Sequence, residues 1–228
     1  MISTEFINNL SISYTGLDFD HIIIFVAGGG LTGGKKQFQE WQENLLQYNI
    51  GSLAFDFPGI NDSLGKIELT SLESRIHLTQ LLVTWLQQKH NPKKISIYGH
   101  SMGGYVALGA AHHNRHINGS VILHVPAAYA QEAHDVRFGS NFTNILRKEG
   151  SYVNSYSYDW LEDITQPVTL ISHSEDEIIP KDITQKYIEI GLLKERFKHI
   201  EIIGATHRIK GEENQKFLEK VFEQIKNI

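Results

Sequence analysis

The sequence has no cysteine at all. That excludes disulfides, thiolate metal sites and a cysteine nucleophile in one step. It is also poor in proline, with 5 in 228 residues, so long helices and strands can run uninterrupted. No basic excess is present: 21 Lys and Arg stand against 26 Asp and Glu, spread along the chain, for a formal charge of -5. Nucleic acid and anionic membrane surfaces are therefore not expected partners. The longest apolar run, residues 22–27, is far too short to span a bilayer. Residues 1–10 lack a basic segment and an apolar stretch after it, so a secretory signal is not expected and a cytoplasmic location is.

What is present is a globular composition, 41% hydrophobic and 21% charged, in a length that suits one α/β domain. Residues 5–14 read as a hairpin broken near Asn8-Asn9. Short apolar, β-branched runs then alternate with helical patterns. Strands are expected at 22–26, 52–56, 94–98, 120–125, 168–172 and 199–203. Helices are expected at 36–48, 71–90, 103–113, 183–193 and 211–228. Continuous apolar strands interleaved with helices imply an α/β fold, a mostly parallel central sheet with helices on both faces. Residues 126–160 interrupt this rhythm with a Tyr-, Asn- and Ser-rich stretch longer than a crossover needs, and 127–160 is expected to form a small cap or lid.

Chemistry concentrates at the ends of the strands. Gly99-His100-Ser101-Met102-Gly103 joins the strand at 94–98 to the next helix and satisfies G-x-S-x-G. A serine at the apex of such a strained strand-to-helix turn needs glycine two residues to either side, where a side chain would meet backbone. The hydroxyl is a weak nucleophile until a histidine removes its proton and an acid orients that histidine. Asp176 follows the strand at 168–172, with Glu175 and Glu177 as adjacent alternatives, and His207 follows the strand at 199–203. The order Ser101, Asp176, His207 is the one this kind of turn uses. His112, His113 and His116 form a cluster, but they sit at a helix C-terminus with no matching carboxylate motif, so no metal and no cofactor is expected.

The segment after the first buried strand, from Ala27 to Lys35, holds five glycines: 28, 29, 30, 33 and 34. Gly28, Gly30 and Gly33 can be read as a dinucleotide fingerprint with Asp56 as the ribose acid, and Gly29, Gly34 and Lys35 as an incomplete phosphate loop. The first leaves Ser101, Asp176 and His207 unexplained, and the second has Lys36 where a Ser or Thr belongs. The third reading is an oxyanion loop, with the amide of Gly29 (Gly28 or Gly30 as alternatives) and the amide of Met102 as donors.

Taken together, Ala27-Gly-Gly-Gly30, Asp56-Phe-Pro-Gly59 with Asp62 and Ser63, Gly99-His-Ser-Met-Gly-Gly104, Asp176 with Pro180, and Gly204-Ala-Thr-His207 resemble the α/β-hydrolase superfamily over essentially the whole chain. The elbow and the Asp-x-Pro-Gly segment are similar to those of small esterases, monoacylglycerol-lipase-like enzymes and serine aminopeptidase-like proteins. The resemblance implies a carboxylesterase-like serine hydrolase acting on a small-molecule ester or acyl substrate, with amide, peptide or thioester hydrolysis as the alternative. Two positions depart from the pattern: Ala27 stands where a His is usual, and Asn61 where a second Gly is usual.

Overall fold

The computed structural model describes residues 1–30, 33–209 and 215–228. The chain opens with a hairpin, β1 (Ser3–Ile7) and β2 (Leu10–Thr15), paired antiparallel. Asn8 and Asn9 form its two-residue turn with φ of 48° and 70°, the left-handed pair that such turns need and that asparagine tolerates. The remaining strands are β3 (His21–Val26), β4 (Ile50–Phe55), β5 (Lys94–His100), β6 (Val121–His124), β7 (Val168–Glu175) and β8 (Phe197–Thr206). They form one eight-stranded sheet in the order β1-β2-β4-β3-β5-β6-β7-β8, parallel from β4 onward.

The helices are α1 (Gln39–Leu45), α2 (Leu72–His90), α3 (Met102–His113), α4 (Ser140–Leu146), α5 (Tyr156–Asp163), α6 (Lys181–Gly191) and α7 (Gln215–Lys226). The expected start of the last helix at Gly211 lies outside the described residues. The helical pattern at 36–48 resolves into α1 flanked by short 3-10 turns and closed by Asn49 in the left-handed region. The 71–90 helix is α2, capped by Ser71, whose hydroxyl accepts from the Ser74 amide while Ser74 Oγ accepts from the Ser71 amide.

β3 shows why its run is apolar throughout. Ile22, Ile24 and Val26 enter one core beneath α2, α3, α5 and α6, and Ile23, Phe25 and Ala27 enter a second core beneath α1 and α7. A strand buried on both faces loses the alternation that a half-exposed one would display. The interval at 126–160 divides in two. Trp160 and Leu161 of α5 are buried, with the Trp160 ring 5.0 Å from Tyr105 of α3, so α5 is part of the covering layer. The stretch before it, with α4, packs beside the start of α2, where Phe138 N–H donates to Thr70 and Glu73 N–H donates to the His134 carbonyl.

Candidate active site

Ser101 sits between the end of β5 and the first residue of α3 with φ 55° and ψ -119°. The turn that holds it is too tight for side chains at its base. A Cβ on Gly99 would lie 2.1 Å from the Gly103 carbonyl oxygen, and one on Gly103 would lie 2.2 Å from that of Val26. The two glycines are therefore required by backbone contact, and the serine between them projects from the sheet's C-terminal edge. Val125, after β6, shares the unusual geometry with φ 42°, a strained value for a β-branched residue, and the next amide but one, of Ala127, donates to the Ser101 carbonyl.

His207 Nε2 lies 3.1 Å from Ser101 Oγ. Its Nδ1 lies 2.8 Å from Asp176 Oδ2 and 3.1 Å from Oδ1. Both His207 and the Asp176 side chain are nearly sealed from solvent. Burial alone would raise the Asp176 carboxyl, but hydrogen bonds from His207 and from the Ile179 and Ile178 amides outweigh it and hold the group below its ordinary value. Asp176 is the acid that meets the imidazole. Glu177 instead accepts the backbone N–H of His207 at 3.0 Å, a contact that spacing alone did not single out.

The glycine loop lies directly on this turn. A Cβ at Gly28 would come within 3.3 Å of Ser101 Cβ, and one at Gly29 within 2.9 Å of Met102 Cε. Met102 is the first residue of α3, so its N–H has no partner within the helix. The competing motifs lose their key residues here. Lys35 Nζ lies 2.8 Å from Asp56 Oδ2 and also donates to Ser11 Oγ, and Asp56 Oδ1 accepts the Lys35 amide. Asp56 and Lys35 are buried together and hold the loop to the end of β4, leaving neither for a ribose or a phosphate. Asn61, the departure from the second Gly, keeps a left-handed φ of 45° and donates to both Gly33 O and Asp56 Oδ1. It preserves the turn and adds a brace.

Behind Ser101, His207 and Asp176 lies a chain of side chains that the sequence motifs do not include. His173 Nδ1–H donates to the Thr206 carbonyl, which leaves its Nε2 to accept from His124 Nε2–H at 2.8 Å. His124 Nδ1 then accepts from Tyr98 O–H. Each proton is fixed by the next partner, and burial holds His124 well below the usual imidazole range and lowers His173 as well. His100, whose ring meets His124 edge-on at 5.1 Å and His207 at a tilt at 5.4 Å, is pushed by burial to about 3. The signal for this chain is the placement of His124 and His173 near the ends of two neighbouring parallel strands. The His112, His113 and His116 cluster stays on the far helix end, and among the described residues no group of three His, Asp or Glu is placed to hold a metal ion.

No curated protein matches the sequence. Among solved structures, the monoacylglycerol lipase of Paleococcus ferrophilus is similar at a TM-score of 0.71 and 20% identity, over 96% of this chain and 98% of that one. The esterase Est2 of Thermogutta terrifontis with propionate bound gives 0.74 and 17%, over 100% and 92%. Est1E of Butyrivibrio proteoclasticus with ferulic acid bound gives 0.70 and 18%, over 98% and 97%. At these identities the likeness is one of fold, that of the α/β hydrolases. Residues 33–193 match the PGAP1-like alpha/beta domain, and the chain belongs to that family.

Proposed function

We propose that this chain is a serine hydrolase that cleaves carboxylic esters through an acyl-enzyme. The observation that carries the reading is the continuous chain of hydrogen bonds from Ser101 Oγ through His207 to Asp176 at a glycine-flanked turn. Ser101 attacks the ester carbonyl, His207 takes the hydroxyl proton and returns it to the leaving alcohol, and Asp176 holds the imidazole in the required tautomer. The amides of Gly29 and Met102 receive the oxyanion, aided by the positive end of α3. Water then repeats the sequence and releases the acid. Within the 127–160 segment, the stretch before α5 serves as a small cap, a role supported by the contact of Phe138 and Tyr129 with the start of α2 and α3.

A fluorophosphonate probe should label Ser101, and Ser101→Ala should abolish both labelling and hydrolysis of p-nitrophenyl esters. Undiminished ester hydrolysis by Ser101→Ala would sink the mechanism. The same purified protein, offered aminoacyl anilides and acyl thioesters, ranks the three acyl bonds by kcat/KM, with esters expected first.

A further inference from the structure

Arg75, in the second turn of α2, is 1% exposed. Buried cations are normally paired with carboxylates, as Lys35 is with Asp56. Among the described residues Arg75 has no such partner. Its guanidinium carbon lies over two aromatic rings, 4.5 Å from the Phe57 centroid and 4.6 Å from that of Phe138. Its Nη1 reaches only Met102 Sδ, at 3.2 Å, a weak acceptor, and Nε is buried with no partner among the described residues. Burial lowers the guanidinium to about 10, which leaves it charged at neutral pH.

Apart from the two rings and Tyr129, the described surroundings offer the cation no compensation. Arg75 stands near the N-terminal end of α2 and against the first residue of α3, and both ends carry positive potential. An anion is what this place lacks. Met102 separates the guanidinium from the glycine loop, since its Sδ and Cε would lie 3.3 and 2.9 Å from a Cβ on Gly29. Met102 follows the nucleophile, so Arg75 is one flexible, unbranched side chain away from the reacting centre.

We propose that Arg75 binds a carboxylate carried by the ester substrate, admitted when the Met102 side chain swings aside. The inference rests on the esterase reading and names its substrate class, esters with an acidic substituent. The planar guanidinium offers a carboxylate two parallel hydrogen bonds, and a carboxylate carried by the substrate brings the anion to this place together with the ester.

The test compares matched esters. p-Nitrophenyl hexanoate against the p-nitrophenyl monoester of adipic acid reports the acyl side, and phenyl butyrate against 4-carboxyphenyl butyrate reports the alcohol side. The protein should prefer the acidic member of one pair at least tenfold in kcat/KM. Arg75→Met should lower that ratio at least tenfold, and Arg75→Lys should retain part of it. A ratio at or below one in both pairs, or one unmoved by either substitution, overturns the proposal even where Ser101 labels normally. A second arm needs no turnover: calorimetry of Ser101→Ala with monomethyl adipate, dimethyl adipate and inorganic phosphate. Tenfold tighter binding of the monoanion than of the diester supports the proposal. Equal binding of the two overturns it, and so does preferential binding of phosphate. Absence of Ser101 labelling, by contrast, counts against the esterase reading alone, and the calorimetry still decides the role of Arg75.

Discussion

The ammonium of Lys35 and the carboxylate of Asp56 meet at 2.8 Å in a site closed to water, and that pair fastens the glycine loop to the end of β4. Removing one member leaves the other buried without its close ion partner. Lys35→Met should therefore destabilise the protein by about 3–5 kcal/mol, read from urea denaturation. The double variant Lys35→Met with Asp56→Leu should lose less than the sum of the two single changes. Strict additivity would show that the pair is not coupled.

Asp176 and Glu177, adjacent acids, should separate cleanly by activity. Asp176 meets the imidazole, whereas Glu177 accepts only the His207 backbone amide. Asp176→Asn should lower kcat on p-nitrophenyl butyrate by about 10⁴-fold by favouring the wrong tautomer. Glu177→Gln keeps an acceptor in place and should lie within about tenfold of the parent, the loss of one charge-assisted hydrogen bond. Comparable losses from both would remove Asp176 from its assigned place.

Glycines of the two chemical motifs should differ sharply. Gly103→Ala drives a methyl group to 2.2 Å from the Val26 carbonyl and should cost more than about 3 kcal/mol, at the upper end of overpacking. Gly33→Ala, where a Cβ would meet only Gln37 Nε2 at 3.7 Å, should stay within about 0.5 kcal/mol. Thermal unfolding of the two variants, measured side by side, checks the contrast.

Acid should weaken the fold at an unusually high pH. His124 is held neutral in the folded chain, well below the value of about 6.5 it takes when unfolded. Above pH 6.5 both states are neutral and its contribution is fully present. Below it the unfolded chain takes up a proton that the folded one refuses, so stability falls as pH falls, by about 1.4 kcal/mol per pH unit for each such histidine. His100 and His173 add to the same slope. Urea midpoints should decline from pH 7 to pH 5, before ordinary carboxylates titrate. A flat profile over that interval would contradict the neutral relay.

That Ser101, Asp176 and His207 come together is legible in the sequence because each constraint is local: a glycine-flanked turn, and polar residues one loop beyond an apolar strand. The sheet was legible for the same reason, since β-branched runs such as residues 22–26 declare their burial. Arg75 was not legible, because an arginine inside a helical pattern reads as part of a solvated face until Phe57 and Phe138 are folded over it. The relay through His124 and His173 was hidden for a related reason. It depends on β6 and β7 being neighbours, 49 positions apart in sequence. The sequence sets both competing motifs aside, but the use the fold makes of Lys35 and Asp56 instead, as a buried ion pair, shows only once β3 and β4 are paired.

The pairing of β7 with β8 runs in register as far as His173 opposite Ile202, then resumes with Glu175 opposite Thr206. Two residues of β7 thus span four of β8, and the surplus lies just before His207. That slack acts as a tolerance joint. A shift of one residue in how β8 seats on the sheet could be taken up between residues 202 and 206, because Thr206 is pinned independently by the His173 ring and His207 by the Glu177 carboxylate. The imidazole is therefore located by its own anchors rather than by the strand that delivers it. Single-residue insertions after Ile203 should be accepted with more retained activity than insertions between Asp176 and Pro180, where no such surplus exists.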